Sequence, residues 1–149
     1  MHLAASAVVS TSVYLFTKSI VVTGVSFFCG FLLDIDHFLD YVREYGFRVN
    51  VKEFSCVFYE TRFKKLFLIF HAWEWMAGLL IFAWFSGWNG IFLGLFIGTF
   101  HHLVLDQFGN GVTPQGYFFV YRVAKRFSME DVVPEAEVMK RRIGRHTKS

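Results

Sequence analysis

Charge is scarce in this 149-residue chain, at 18% of residues, against about 25% in an ordinary soluble domain. With 54% hydrophobic residues, the composition excludes a disordered chain or a solvated repeat array. Proline is scarcer still, at 2 residues against 20 Phe, which excludes collagen-like and proline-rich architectures. The only cysteines are Cys29 and Cys56. They are too few for a disulfide framework and lack metal-type spacing, so both read as packing residues. A formal net charge of +3 is too small to argue for nucleic acid, and no nucleic-acid partner is expected. Nucleophile-elbow, phosphate-loop and helical His-Glu-x-x-His motifs are all missing.

What is present is length in apolar runs. Residues 66–85 carry no Lys or Arg, and residues 90–108 form a second run after the Ser86–Gly90 turn. About 20 such residues cross a bilayer core, and so short a turn makes an antiparallel helix pair. Residues 3–33 are apolar but interrupted at Thr17-Lys18-Ser19. They read as two short helices, about 3–16 and 20–33, with one long helix as the rival. No basic segment precedes them, so a cleaved signal peptide is not expected. The expected fold class is therefore an all-α integral membrane protein. It has about four short transmembrane helices, a loop on the cytoplasmic side and a basic C-terminal tail. The expected domains are a membrane-embedded helical part, 1–127, and a charged tail, 128–149.

The cations set the orientation. One Lys precedes residue 40, six Lys or Arg lie in 43–65, eight lie in 122–148, and none falls between 66 and 121. By the positive-inside rule, the loop 34–65 and the tail are expected to be cytoplasmic. The loop is expected to lie along the headgroups, and the tail with Lys140, Arg141 and Arg142 to be a loose or helical appendage drawn to anionic lipid.

Ionisable groups inside apolar helices are costly, and mark function by default. His2 opens the first helix. Asp34, Asp36 and His37 close the second. His71 and Glu74 lie in the first turns expected of the third, and His101, His102 and Asp106 in the last turns of the fourth. The topology puts all of these at one membrane level. His71 and Glu74 are i,i+3 and His102 and Asp106 are i,i+4, so each pair shares a helix face. Gly90, Gly94 and Gly98 lead by steps of four into His102, which puts the ligand face on the packed side of its helix. His101 points elsewhere. The bland reading of these residues is a set of buried charge pairs that hold a helical bundle.

Imidazole with carboxylate is the ligand set of Zn²⁺, Mn²⁺ or Fe²⁺. His2, Asp34, Asp36, His37, His71, Glu74, His102 and Asp106 are the candidate ligands of a divalent metal, with Zn²⁺ expected. So many donors suit two or more ions, which clamp the two oxygens of phosphoryl transfer. Glu74 and Asp36 are the candidate catalytic carboxylates, one of them the general base.

The residues also resemble a known family. Leu-Leu-Asp34-Ile-Asp36-His37 is similar to the Pro-Asp-Ile-Asp-His motif of small inner-membrane metal-dependent hydrolases, the YdjM-like, LexA-regulated family. His102-Leu-Val-Leu-Asp106 resembles that family's His-x-x-x-Asp, and Thr113-Pro114-Gln115-Gly116 its Thr-Pro-x-Gly stretch. His2 fits its N-terminal His. The resemblance covers roughly residues 1–121. Leu33 stands where the family has Pro, and His71-Ala-Trp-Glu74 occupies the place of its His-Arg-Gly…His-Ser segment. The family is distantly similar to zinc-dependent phospholipase C and the P1-type nucleases, so the resemblance implies phosphoester hydrolysis. The expected function is thus a membrane-embedded metal-dependent hydrolase. Its expected substrate is a membrane lipid, a phospholipid or lipid-linked phosphate met at the cytoplasmic leaflet. The alternatives are a divalent-metal transporter or channel subunit, or a structural or regulatory membrane protein.

Overall fold

The computed structural model describes residues 2–47, 54, 57, 63–110 and 112–135. Arg48, Cys56, Arg62 and the run Lys140-Arg141-Arg142 lie outside the described residues. Among those described, the regular structure is helical and there is no strand. The chain divides into two units, Met1–Asp34 with Phe70–Gly109, and Ile35–Ile69 with Asn110–Ser149.

In the first unit, Lys18 takes a left-handed φ of +52°, which interrupts the apolar N-terminal run. Ser19 then caps a new helix by accepting a hydrogen bond from the Val22 N–H through its hydroxyl. Residues 3–33 are accordingly two helices, α1 (His2–Thr17) and α2 (Ile20–Leu32). The unit's other helices are α4 (Glu74–Phe85) and α5 (Gly90–Gly109). Their turn is locked by Ser86 Oγ accepting from the Asn89 N–H and Asn89 Oδ1 accepting from the Ile91 N–H. The main packing is α2 on α5, then α1 on α2 and α4 on α5. Glycine makes the closest of these contacts possible. A Cβ at Gly98 would stand 2.7 Å from the Ser26 carbonyl oxygen, and one at Gly94 2.9 Å from that of Val22. The steps of four in α5 are therefore a close-approach face against α2.

The second unit contains α3 (Ile35–Tyr45), a 3₁₀ turn (Pro114–Tyr117), α6 (Phe119–Ala124) and α7 (Met129–Val132). Its core gathers Tyr41, Val57, Phe63, Leu66, Leu68, Met129, Val132 and Val133. Asp40 is buried and accepts from the Phe67 and Leu68 N–H groups at 2.9 and 3.2 Å. The Arg43 guanidinium lies 3.5 Å over the Phe67 ring, which stacks on Phe127. Lys65 and Ser128 form an isolated antiparallel bridge.

Three expectations are corrected. The helix expected over 66–85 starts only at Glu74. Residues 66–68 use their side chains in the second unit's core and their N–H groups on Phe127 and Asp40, so they have no need of a helix. The tail from 128, expected as a loose or helical appendage, is helical over Met129–Val132 and is packed over its described part, because Met129, Val132 and Val133 are core residues. Two stretches, Ile20–Tyr45 and Gly90–Gly109, are long and apolar enough to cross a membrane, rather than the four expected. Helices α1 and α4 are apolar but shorter, with 16 and 12 residues.

Candidate metal centre

Four parts of the first unit bring ionisable groups together. His2 is the first residue of α1, Asp34 lies in the turn after α2, and His71 lies in the turn before α4. Helix α5 supplies His102 and Asp106 one turn apart, on the side that its glycines turn inward. His71, His102 and Asp106 are fully buried, whereas the Asp34 side chain is 42% exposed.

The carboxylate of Asp106 is the hub. Its Oδ1 lies 3.3 Å from His2 Nε2, and its Oδ2 lies 3.3 Å from His71 Nε2 and 3.4 Å from His102 Nε2. Among the described residues neither oxygen takes an aligned hydrogen bond, although both are buried. The Nε2 atoms of His71 and His102 face each other at 3.0 Å, and Asp34 Oδ1 stands 3.5 Å from His102 Nε2. The rings of His2 and His102 stack at 4.4 Å.

The tautomer of His102 follows from its other nitrogen. Nδ1 lies 2.6 Å from the carbonyl oxygen of Gly30, which can only accept, so Nδ1 carries the proton. Nε2 then presents its lone pair to the cluster. A carbonyl holding the far nitrogen of an imidazole is the usual support of a metal-ligating histidine. The opposed His71 nitrogen must bring a proton, or both lone pairs must share a cation.

The spacing suits a cation. Ligand atoms about 2.0–2.2 Å from one ion stand about 2.8 Å apart in octahedral and about 3.6 Å apart in tetrahedral coordination. The contacts here, 3.0 to 3.5 Å, lie inside that range. The triplets His71, His102, Asp106 and His2, Asp34, His102 each have donor atoms within 4.8 Å of one another, and these buried His and Asp groups could hold a metal ion.

The other candidate residues lie on α4, α3 and α5. Glu74 opens α4, half-buried, and is in none of the donor groups found among the described residues. Its expected helical pairing with His71 is replaced by a turn, because His71 precedes the helix. Asp36, which is buried, and His37 sit in the first turn of α3, in the second unit. His101 faces away from the Asp106 hub. Its Nε2 meets Ser6 Oγ at 3.1 Å and its Nδ1 meets the Ile97 carbonyl oxygen at 3.1 Å.

The supports were not anticipated from the sequence. The Gly30 carbonyl orients His102, and Gly30 itself fits only because it lacks a Cβ, which would collide with the His101 ring and Ser6 Oγ. Trp73 Nε1 donates to Gln107 Oε1 at 3.0 Å and its ring packs edge-on against Phe100, which ties the His71 turn to α5. The readable signals were Ser6 one turn after His2, and Gln107 beside Asp106 in an apolar helix. No protein-family model, curated protein or solved structure matches the chain.

Proposed function

We propose that this chain is a membrane-embedded, metal-dependent hydrolase that cleaves a phosphoester of a phospholipid or lipid-linked substrate at the cytoplasmic leaflet of a bacterial inner membrane. The observation that carries the reading is the buried Asp106 carboxylate ringed by three imidazole nitrogens at 3.3–3.4 Å. A merely structural cluster would satisfy that carboxylate with aligned hydrogen bonds. His71, His102 and Asp106 would hold the ion, with His2 and Asp34 beside them. Nitrogen and oxygen donors without thiolate favour Zn²⁺, with Mn²⁺ and Fe²⁺ next.

The surface supports the membrane. Phe16, Phe85 and Phe108 are each more than 80% exposed. Only 39% of the apolar window in α5 is buried, and 22% of that in Ile20–Tyr45. The core helix of a soluble protein would be mostly buried. The clustering of cations in 43–65 and 122–148 supports a cytoplasmic side for both segments.

A divalent ion held there lowers the pKa of water and offsets charge developing on phosphoryl oxygens. The exposed side of the cluster, at Asp34, is where a headgroup enters. Glu74, near His71 in sequence and half-buried, is the proposed general base, and Asp36 is the other candidate for that role.

The test is metal analysis of the detergent-purified protein together with hydrolysis of a lipid extract. His102→Ala and Asp106→Ala should each weaken metal binding by more than about 100-fold, the upper range for lost supporting contacts, and abolish hydrolysis in a folded, inserted protein. Glu74→Gln should keep the metal and lose about 10²- to 10⁴-fold in rate. Hydrolysis undiminished by chelator would sink the reading, and bound metal without hydrolysis of any lipid would favour transport. For orientation, a cysteine engineered into the tail should resist labelling from the periplasmic side of intact cells.

A further inference from the structure

Helix α2 carries an apolar stripe at steps of four, Ile20, Gly24, Phe28 and Leu32. With Val25 and with Leu95 of α5, it lines a groove of about 480 Å³ on the outer face of the first unit. Gly24 lines the α2 wall of the groove, and a Cβ there would meet nothing within 4 Å. The flanking Ile20, Phe28 and Leu32 are exposed. From Ile20 to Leu32 the helix rises about 18 Å, and one leaflet of hydrocarbon is about 15 Å deep, half of the bilayer core. The end at Leu32 is two residues from Asp34, whose Oδ1 is 3.5 Å from His102 Nε2. A groove of leaflet length thus ends at the exposed carboxylate of the metal-ligating cluster.

We propose that this groove holds one acyl chain of the membrane lipid whose phosphate is offered to the His71, His102 and Asp106 cluster. The proposal rests on the hydrolase reading for the identity of the site at the groove's end, but the groove itself can be tested without turnover. The unit also exposes apolar side chains on α1, α4 and α5, and neither α1 nor α4 contributes to this groove. A chain seated along α2 fixes the lipid's depth, so that its headgroup arrives at the level of Asp34 and not deeper in the bundle.

The experiment uses the full chain in lipid nanodiscs containing a phosphatidylglycerol with a photoactivatable diazirine at mid-chain. Crosslinks are mapped by mass spectrometry, and metal content is measured on the same samples. Saturable labelling is expected around Gly24, Phe28 and Leu95. Gly24→Phe and Leu95→Trp, which fill the groove from opposite walls, should each reduce it at least fivefold with metal content unchanged. Labelling spread equally over the exposed Phe82, Trp84 and Phe85 of α4, or insensitive to both substitutions, would overturn the proposal. Saturable labelling in the groove by a protein that hydrolyses no lipid would keep the acyl site and overturn the hydrolase. Hydrolysis that neither substitution slows, with evenly spread labelling, would do the reverse.

Discussion

The two units differ in the balance of their interiors, although the first also buries Met76 and Leu103 and the second Asp36, Asp40 and Arg122. The first buries Ser6, Ser10, Ser26, Thr99, His71, His101, His102 and Asp106, and leaves Phe16, Phe85, Trp84 and Phe108 on its outside. The second buries Tyr41, Leu66, Leu68, Met129, Val132 and Val133, and exposes Lys64, Lys65, Lys125 and Glu130. In water, apolar burial drives a core together, as in the second unit. In lipid that force between helices vanishes, and small and polar residues become the contacts. The first unit has that pattern, with Gly94 and Gly98 against α2 and a Ser6–His101 hydrogen bond between α1 and α5. The difference explains why the buried His and Asp cluster that could hold a metal ion sits in the first unit. An interior held by small and polar contacts can accept imidazoles and a carboxylate, provided that each has a partner.

The largest effect expected from this contrast is on stability. Leu66→Ala in the second unit empties a packed position and should cost about 2–5 kcal/mol. Phe85→Ala in the first unit removes a larger side chain from an exposed position, and in detergent should stay within about 0.5 kcal/mol. Denaturation of both variants in one detergent measures the difference directly. A Phe85→Ala cost equal to that of Leu66→Ala would mean that the first unit's outer face is covered by protein, and the contrast would collapse.

The same contrast governs what could be read from the sequence. The helix break was legible because Thr17-Lys18-Ser19 puts a cation and a cap in an apolar run, and the structure uses both signals, Lys18 for its left-handed turn and Ser19 as the cap. The inward face of α5 was legible because glycines at steps of four have few other uses in such a helix. The grouping of His2, Asp34, His71, His102 and Asp106 was expected from a shared depth and from helical facing, His102 and Asp106 being one turn apart on α5. Residues 66–73 were misread because hydrophobicity does not distinguish a membrane helix from an extended segment buried in a core. Asp40 gave no warning. It lies outside the apolar runs, and its role is to satisfy the N–H groups of Phe67 and Leu68, which only the folded chain brings to it. Gly30 was invisible for a similar reason, since its contribution is a carbonyl and an absent Cβ.

Gly30 supplies the next test. Gly30→Ala places a methyl against His101 and Ser6 and should shift the carbonyl that orients His102. Metal affinity should fall about 10- to 100-fold, as for other lost supports of ligating histidines. Gly24→Ala is the control on the same helix. Its Cβ meets open space, so metal affinity should not change, and helix propensity should add up to about 1 kcal/mol of stability. Equal metal affinity in the two variants would show that the Gly30 carbonyl does not position His102.

The smallest effect is the most discriminating about what the polar interior is for. Ser26 is fully buried and its hydroxyl has no hydrogen-bond partner among the described residues. If Ser26 is there for its size, Ser26→Ala removes an unsatisfied polar group and should stabilise the protein by about 1 kcal/mol. Ser6→Ala has the opposite sign. It breaks the contact with His101 Nε2 and should cost about 1 kcal/mol, more if the imidazole is left without another partner. Paired denaturation curves in detergent report both signs at once. Should Ser26→Ala cost as much as Ser6→Ala, the Ser26 hydroxyl must be satisfied by ordered water, and the bundle interior beside the metal cluster is wet. Opposite signs would mean that this interior is dry at Ser26, so that water for the proposed hydrolysis would have to enter from the exposed Asp34 side.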